Sequence, residues 1–197
     1  MAIRVVAGPT VEPITIDDLK NDIKVDADVA ADDALIRALG IAARRVAESI
    51  QNRALITQTL ELALDGWPGG NSLEIPRPPL QSVMSIKYYG EDDTEHKLDS
   101  GSYQVDTYSE PGRVVLKADQ SWPEEVLRPA NGVVVQFVAG YGDAESDVPE
   151  TTVQAIRLLV GHWYENREAV SSTGAIPKEV PFGVMSLLWL DRVRIVG

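Results

Sequence analysis

The stretch TQTLELAL at residues 57–64 decides the fold class, because the spacing of apolar residues changes there from three and four to two. Its three leucines alternate with Thr59, Glu61 and Ala63, so the two sets of side chains leave opposite faces of an extended chain. Turn residues over 65–70 end the pattern. The stretch predicts a half-buried strand that opens a β unit.

Downstream of this strand the sequence keeps the features of short strands. Residues 83–89 and 96–98 flank an acidic turn, which predicts a hairpin. Further strands are predicted at 103–106, 113–116 and 133–138, with Pro111-Gly112 as a tight turn. We therefore predict that residues 57–140 form an all-β unit of about six short strands.

Helical patterns lie on both sides of the β unit. Thr15 and Asp18 form a capping box, and apolar residues at spacings of three and four predict an amphipathic helix over 34–50. A second long helix is predicted from Pro149 to near Arg167, and 182–190 is apolar nearly all round. Amphipathic helices must bury their apolar stripes, so the terminal helices should pack on each other. The predicted class is α+β: a helical domain of residues 1–56 and 141–197, with an inserted β domain of residues 57–140.

Composition and charge exclude several classes of protein. The 197 residues include no Cys, which removes disulfide scaffolds and thiolate metal sites. Thirty Asp and Glu against eighteen Lys and Arg give a formal net charge of −12, which repels phosphate and disfavours general nucleic-acid binding. No stretch reaches the roughly 18 apolar residues of a membrane span, and the start has no signal-peptide pattern. We expect a soluble, unprocessed protein with no membrane partner.

The sequence offers no catalytic constellation. Phosphate-binding glycine motifs and nucleophile elbows are absent. His96 is predicted to be a solvated residue at a hairpin turn, and His162 a structural residue beside Arg157 and Glu165. The acids over 26–33 lack the glycine and glutamate of a calcium loop. We expect no enzyme activity, no cofactor and no catalytic, cofactor-binding or metal residues.

Several strings spread in order along nearly the whole chain resemble the tailed-bacteriophage head-tail connector family, also called adaptor or head-completion proteins. They are PITIDDLK (13–20), DDALI (32–36), RALITQT (53–59), IPRPPLQSV (75–83), PGRV (111–114), AGYG (139–142), HWYENRE (162–168) and VPFGV (180–184). Such proteins are encoded in phages, prophages and phage-derived gene transfer agents. The resemblance carries no catalytic residues.

The resemblance implies a structural role in the virion neck, for a protein made in the bacterial host cytoplasm. Copies would form a ring beneath the portal protein, extend the DNA channel and give the stopper or tail proteins a platform. DNA would pass through without specific binding, and the acidic composition agrees, because few phosphate contacts would form.

Ring assembly needs two different patches on each subunit. The helix over 34–50 has a flank of small side chains that permits close approach of another helix. We predict that this flank forms the subunit interface, through Ala38, Ala42, Ala43 and Ala47.

The C-terminus gives the predicted portal-docking site. The apolar segment 182–190 must be buried, either in its own core, as we expect for 182–188, or against another chain. The residues after it alternate with period two, which predicts a strand that adds to a sheet edge of the partner. Because little core would be lost, deleting 191–197 is expected to abolish docking and spare the melting temperature. The predicted docking residues are Trp189, Arg192, Val193, Arg194 and Ile195.

An alternative function is a binding module. Aromatic residues recur in the predicted turns and strands of the β unit, and exposed aromatics are frequent binding anchors. On this reading the β unit binds a carbohydrate or protein ligand in a phage tail or host-surface complex. The residues that motivate it are Trp67, Tyr88, Tyr89, Tyr103, Tyr108 and Trp122.

Overall fold

The computed structural model describes residues 1–166 and 181–193. The described residues form eight strands and four α-helices, which confirms the α+β class. In chain order these are β1 Ala2–Ala7, α1 Ile16–Asp22, α2 Asp33–Gln51, β2 Gln58–Leu64, β3 Ser72–Ile75, β4 Leu80–Tyr89, β5 Glu95–Lys97, β6 Tyr103–Asp106, β7 Gly112–Leu116, β8 Val133–Ala139, α3 Glu150–Glu165 and α4 Phe182–Leu190. The end of the second long helix predicted near Arg167 lies outside the described residues.

The chain divides into two compact units. Unit 1 holds residues 1–10 and 57–141, and unit 2 holds 11–56 with the described residues from 142 to 193. The N-terminus differs from our prediction, which placed residues 1–56 together in the helical domain. Residues 2–7 form β1, which pairs with β2 and therefore belongs to the β unit.

Unit 1 contains a five-stranded antiparallel sheet in the order β1-β2-β8-β4-β5. The predicted strand over 57–64 is confirmed as β2, in which buried and half-buried residues alternate. Leu60 lies opposite Phe137 and Leu62 opposite Val135, and directly opposed residues share a face of the sheet. All four side chains are buried, so this face carries the core of the sheet.

A smaller antiparallel sheet in unit 1 has the order β3-β7-β6. The predicted strands at 103–106 and 113–116 are confirmed as β6 and β7, whereas β3 was missed because prolines crowd the sequence just after it. The structure explains why a glycine occupies position 112, at the start of β7. A Cβ there would lie 2.6 Å from the Cβ of buried Leu80, closer than two carbon atoms can approach.

Unit 2 packs α2 against α1, α3 and α4. The predicted cap is present: the Asp18 backbone N–H donates to Thr15 Oγ1 at 3.0 Å, and that hydroxyl donates to the Asp18 carboxylate at 2.9 Å. The helix predicted over 34–50 is confirmed as α2. The core is formed by apolar side chains from α2, α3 and α4: Ile36, Ala43, Ala47, Ala155, Ile156, Leu159, Val160, Val184 and Leu188.

Buried charges in unit 2 are paired. The Lys20 ammonium lies 2.6 Å from the Asp33 carboxylate, although Lys20 is only 2% exposed. Arg44 contacts Glu12 at 2.7 Å and Glu48 at 2.8 Å. A buried charge is tolerated when opposite charge and hydrogen bonds replace the lost water. These pairs therefore fix α1 and residues 11–15 on α2.

Candidate interaction surfaces

The predicted alanine flank of α2 is split between core and surface. Ala43 is 0% exposed and Ala47 is 1% exposed, because both pack inside unit 2. Ala42 is half-buried and Ala38 is exposed. At about 100° per residue, Ala38 and Ala47 lie on opposite sides of the helix, so the prediction of a single flank was wrong. Its outer half, Ala38 and Ala42, is turned away from the core, and its inner half faces the core. Ala38 and Ala42 stay predicted interface residues, whereas Ala43 and Ala47 have no accessible surface to offer.

Residues 191–193 are tied into unit 2, and we call them the C-terminal clasp. The Val193 backbone N–H donates to the Gln51 carbonyl at 2.9 Å, and Asn52 Nδ2 donates to the Val193 carbonyl at 3.1 Å. The Asp191 carboxylate accepts a 2.7 Å hydrogen bond from the Thr151 hydroxyl. Val193 is buried, which differs from the free docking strand that we predicted.

Of the other four predicted docking residues, two are exposed and two lie outside the described residues. Trp189 is 60% exposed and Arg192 is exposed. Arg194 and Ile195 lie outside the described residues. Docking to a portal therefore stays a prediction for the exposed pair.

Helix α4 is buried on one side only, which corrects the expectation that 182–188 lies wholly in the core. Val184 and Leu188 point into unit 2, but Phe182 is 87% exposed and Leu190 is 69% exposed. With Trp189, the exposed residues share the opposite side of the helix, because 3.6 residues complete each turn.

Three of the six aromatic residues that suggested a binding module form one cluster. Trp67 and Trp122 stack with ring centroids 4.8 Å apart, and Tyr88 lies 5.7 Å from Trp67. His96 stacks on Tyr88 at 5.1 Å, and its Nε2 lies 3.2 Å from a Glu125 carboxylate oxygen. His96 is thus a partly covered residue of this cluster, not a freely solvated one. The cluster joins loops to the sheet, and each of its three aromatic side chains is half-buried.

The remaining aromatics of that set lie apart from the cluster. Tyr103 is buried. The guanidinium of Arg128 lies over the Tyr89 ring at 3.9 Å, and the Tyr89 hydroxyl donates to Glu95 at 2.8 Å. Tyr108, in the turn between β6 and β7, is 98% exposed.

One carboxylate organises the turn that carries Tyr108. Asp106 Oδ1 accepts from the backbone N–H groups of Tyr108 at 3.0 Å and Ser109 at 3.2 Å. Asp106 Oδ2 accepts from the Ser109 hydroxyl at 2.7 Å and from Arg113 Nε at 2.8 Å. These hydrogen bonds, that from the Ser109 side chain first and that from Arg113 next, lower the pKa of Asp106 from 3.8 to about 2. The turn is held in one conformation, which lowers the entropy cost of presenting Tyr108 to a partner.

Replacing Asp106 with Asn should loosen this turn without unfolding unit 1. A depressed carboxyl pKa stabilises the fold above the ordinary pKa and loses that effect as pH falls through the folded value. We therefore expect the wild-type turn to stay ordered until the pH approaches about 2. In D106N at neutral pH, the Tyr108 and Ser109 amides should exchange hydrogen roughly tenfold faster. Asp119→Asn, the same charge change elsewhere in unit 1, is the control, and equal exchange rates in both variants would contradict this assignment.

The face of the five-stranded sheet opposite the core forms an open concavity of about 490 Å³. Its charged side chains are paired. Arg4 contacts Glu61 at 2.7 Å, and Lys87, at the same face, contacts Glu95 at 2.7 Å. Each of these cations therefore already has a carboxylate partner.

Within residues 1–166 and 181–193, no three or more His, Asp or Glu side chains are arranged to hold a metal ion. His162 instead lies beside Asn166, whose side-chain amide donates to the His162 carbonyl at 2.8 Å. Over the same residues, every helix is too short or too polar to span a bilayer.

Comparison with known proteins shows which solved structures share this fold. No protein-family model and no curated protein matches the sequence significantly. A chain from the neck of an empty gene transfer agent particle, computed with C6 symmetry, is 25% identical with a TM-score of 0.79, and the match covers 100% of this chain and 98% of that one.

Two further structures match with the same coverage at 24% identity. They are the virion of a native gene transfer agent particle, with a TM-score of 0.78, and the neck of a native particle computed with C12 symmetry, with a TM-score of 0.74. The chain therefore has the fold of chains found in the neck of gene transfer agent particles, which is consistent with the tailed-phage head-tail connector family that its sequence resembles.

Proposed function

We propose that this chain is a structural component of the neck of a gene transfer agent or related phage particle. Within the neck we assign it the adaptor role: a ring of copies beneath the portal that extends the DNA channel and joins the head to stopper or tail proteins. The observation that carries the proposal is the end-to-end match, at 25% identity and a TM-score of 0.79, to a chain from such a neck. The match extends over both units of the chain.

The charge of the molecule supports a channel role. Acidic residues outnumber basic ones in each of the two units, so neither unit presents a net positive field to DNA. Each phosphate contact releases counterions and strengthens binding, and an acidic wall makes few such contacts. DNA can then pass without being held.

The binding-module alternative loses support in the structure. Trp67 stacks on Trp122 and packs at a tilt against Tyr88, and the Trp122 indole N–H donates to the Gly70 carbonyl at 2.6 Å. A ligand platform needs aromatic faces open to solvent, as in recognition by stacking or by anchor residues. Tyr108 alone among these six residues has a fully open ring, which fits a contact point better than a carbohydrate groove.

Deleting the gene in the producing bacterium tests the proposed function. Without an adaptor, heads should package DNA but join no tails, so electron micrographs should show separate heads and tails and DNA transfer should be lost. A plasmid copy of the wild-type gene is the control and should restore both. Normal tailed, transfer-competent particles from the deletion strain would refute the neck role.

A further inference from the structure

Strand β1 is an unusually exposed sheet edge. All six residues of Ala2–Ala7 are exposed, including Val5 at 59% and Val6 at 48%. In the sheet order β1 is terminal, so among the described strands it pairs with β2 on one side only. An edge strand presents a row of main-chain donors and acceptors that another chain can use.

The apolar face of the sheet continues onto this edge. Ile3 lies opposite Leu62 and Val5 opposite Leu60, so each pair shares a face. Leu60 and Leu62 are buried, whereas Ile3 is 37% exposed and Val5 more so. The fully buried core therefore stops one strand short of the sheet's edge, and the last strand carries apolar side chains that are partly exposed.

The opposite edge of the same sheet is protected. Strand β5, Glu95–Lys97, has three residues, and each can carry charge. Short, charged edges resist pairing with another chain, whereas long apolar edges invite it. The register of β1 on β2 shifts at Val6, so the regular part of the edge is Ala2–Val5. Among the described strands, the sheet thus has one blocked edge and one, Ala2–Val5, that is open for strand addition.

Charge points to the identity of the occupant. The first eleven residues contain Arg4 and no acidic residue, in a chain with thirty acids and a net charge of −12. Two copies of so acidic a chain repel each other over most of their surfaces. Arg4 is already paired with Glu61 at 2.7 Å, so the edge is close to neutral. A near-neutral edge is the place where another copy can approach with the least repulsion.

We infer that the free edge of β1 binds a second copy of this chain, which adds main-chain hydrogen bonds along the strand and covers Val5 and Val6. The inference deepens the proposed ring and rests on it. A closed ring needs a head-to-tail contact in which two different patches meet, and an open edge on one side of each subunit is such a patch. The similar neck chains were solved in assemblies computed with C6 and C12 symmetry.

Val5→Glu tests the edge, with Met84→Glu as its matched control. Met84 is 55% exposed on β4, an interior strand of the same sheet, so both variants place one negative charge on the same unit at similar exposure. Sedimentation of the purified chain over a concentration series should show self-association for wild type and M84E, weakened roughly tenfold or more in V5E. Circular dichroism melts should be equal, because Val5 is outside the core.

A cross-linker identifies what covers the edge. The chain has no cysteine, so Val5→Cys carries a single attachment point for a photoreactive maleimide. Mass spectrometry of mixed isotopically light and heavy chains should then find cross-links between copies, and Met84→Cys should give few.

Cross-links confined within one chain, or a wild-type chain that stays monomeric at every concentration, would overturn the inference. Equal association of V5E and M84E would do the same. None of these results bears on whether the gene deletion separates heads from tails, so failure of the edge contact and failure of the neck role can be told apart.

Discussion

A chain truncated after Leu190 will melt about 10 °C or more below the full-length chain, whereas a chain truncated after Val193 will melt within a few degrees of it. The first truncation removes the C-terminal clasp and the second keeps it. Our expectation from the sequence was the opposite, that residues 191–197 could be lost without cost. The contacts of the clasp are the reason for the new prediction.

The clasp closes on buried polar groups of unit 2. Gln51 is 0% exposed and its carbonyl accepts from the Val193 N–H, while the Asp191 carbonyl accepts from Arg53 Nε. Removing these partners costs about 1–3 kcal/mol for each buried group left without its hydrogen bond, and uncovering the Val193 side chain adds to this. We expect a total near 3–6 kcal/mol on this basis. Thermal melts followed by circular dichroism measure it, and coincident melts of the two truncated chains would contradict the role of the clasp.

Ala43→Glu should unfold unit 2, and Ala38→Glu should not. Both alanines lie on α2 and the two variants gain the same charge, but Ala43 is 0% exposed and Ala38 is exposed. An unpaired carboxylate forced into a packed helical core costs several kcal/mol, of the order of 3–5, and also overpacks it.

Urea titration of both variants measures the difference. A43E should lose its helical signal at a far lower urea concentration than wild type, and A38E should follow the wild-type curve. The same A38E protein tests the outer half of the alanine flank as a ring interface, because a folded variant that fails to assemble can only have lost a contact. A cooperative, wild-type-like transition for A43E would show that Ala43 is not core.

What the sequence could predict depended on local chemistry. Three features depend only on residues close together in the sequence: the Thr15 cap, helix α2 and the alternation in β2. Each pattern can therefore be recognised within a single segment. The strand β1 was missed because a short apolar run has no period of its own and its partner lies more than fifty residues away.

The interaction surfaces were harder to predict from the sequence, because they depend on contacts between residues that are far apart in the chain. Helical spacing turns Ala43 away from Ala38 and Ala42, but only packing decides which side of the helix the core covers. The fate of Val193 likewise depends on Gln51, which is distant in sequence and near in space. Strand alternation alone cannot tell a free edge from a segment already bonded to its own domain.

Cryo-electron microscopy of purified particles tests the central claim most directly. Our account predicts a ring of copies of this chain at the head-tail junction, between the portal and the tail, recognisable from side-chain density such as the stacked Trp67 and Trp122. The account would be contradicted by a neck whose density is fully explained by other chains, or by this chain located in the capsid shell or at the distal end of the tail.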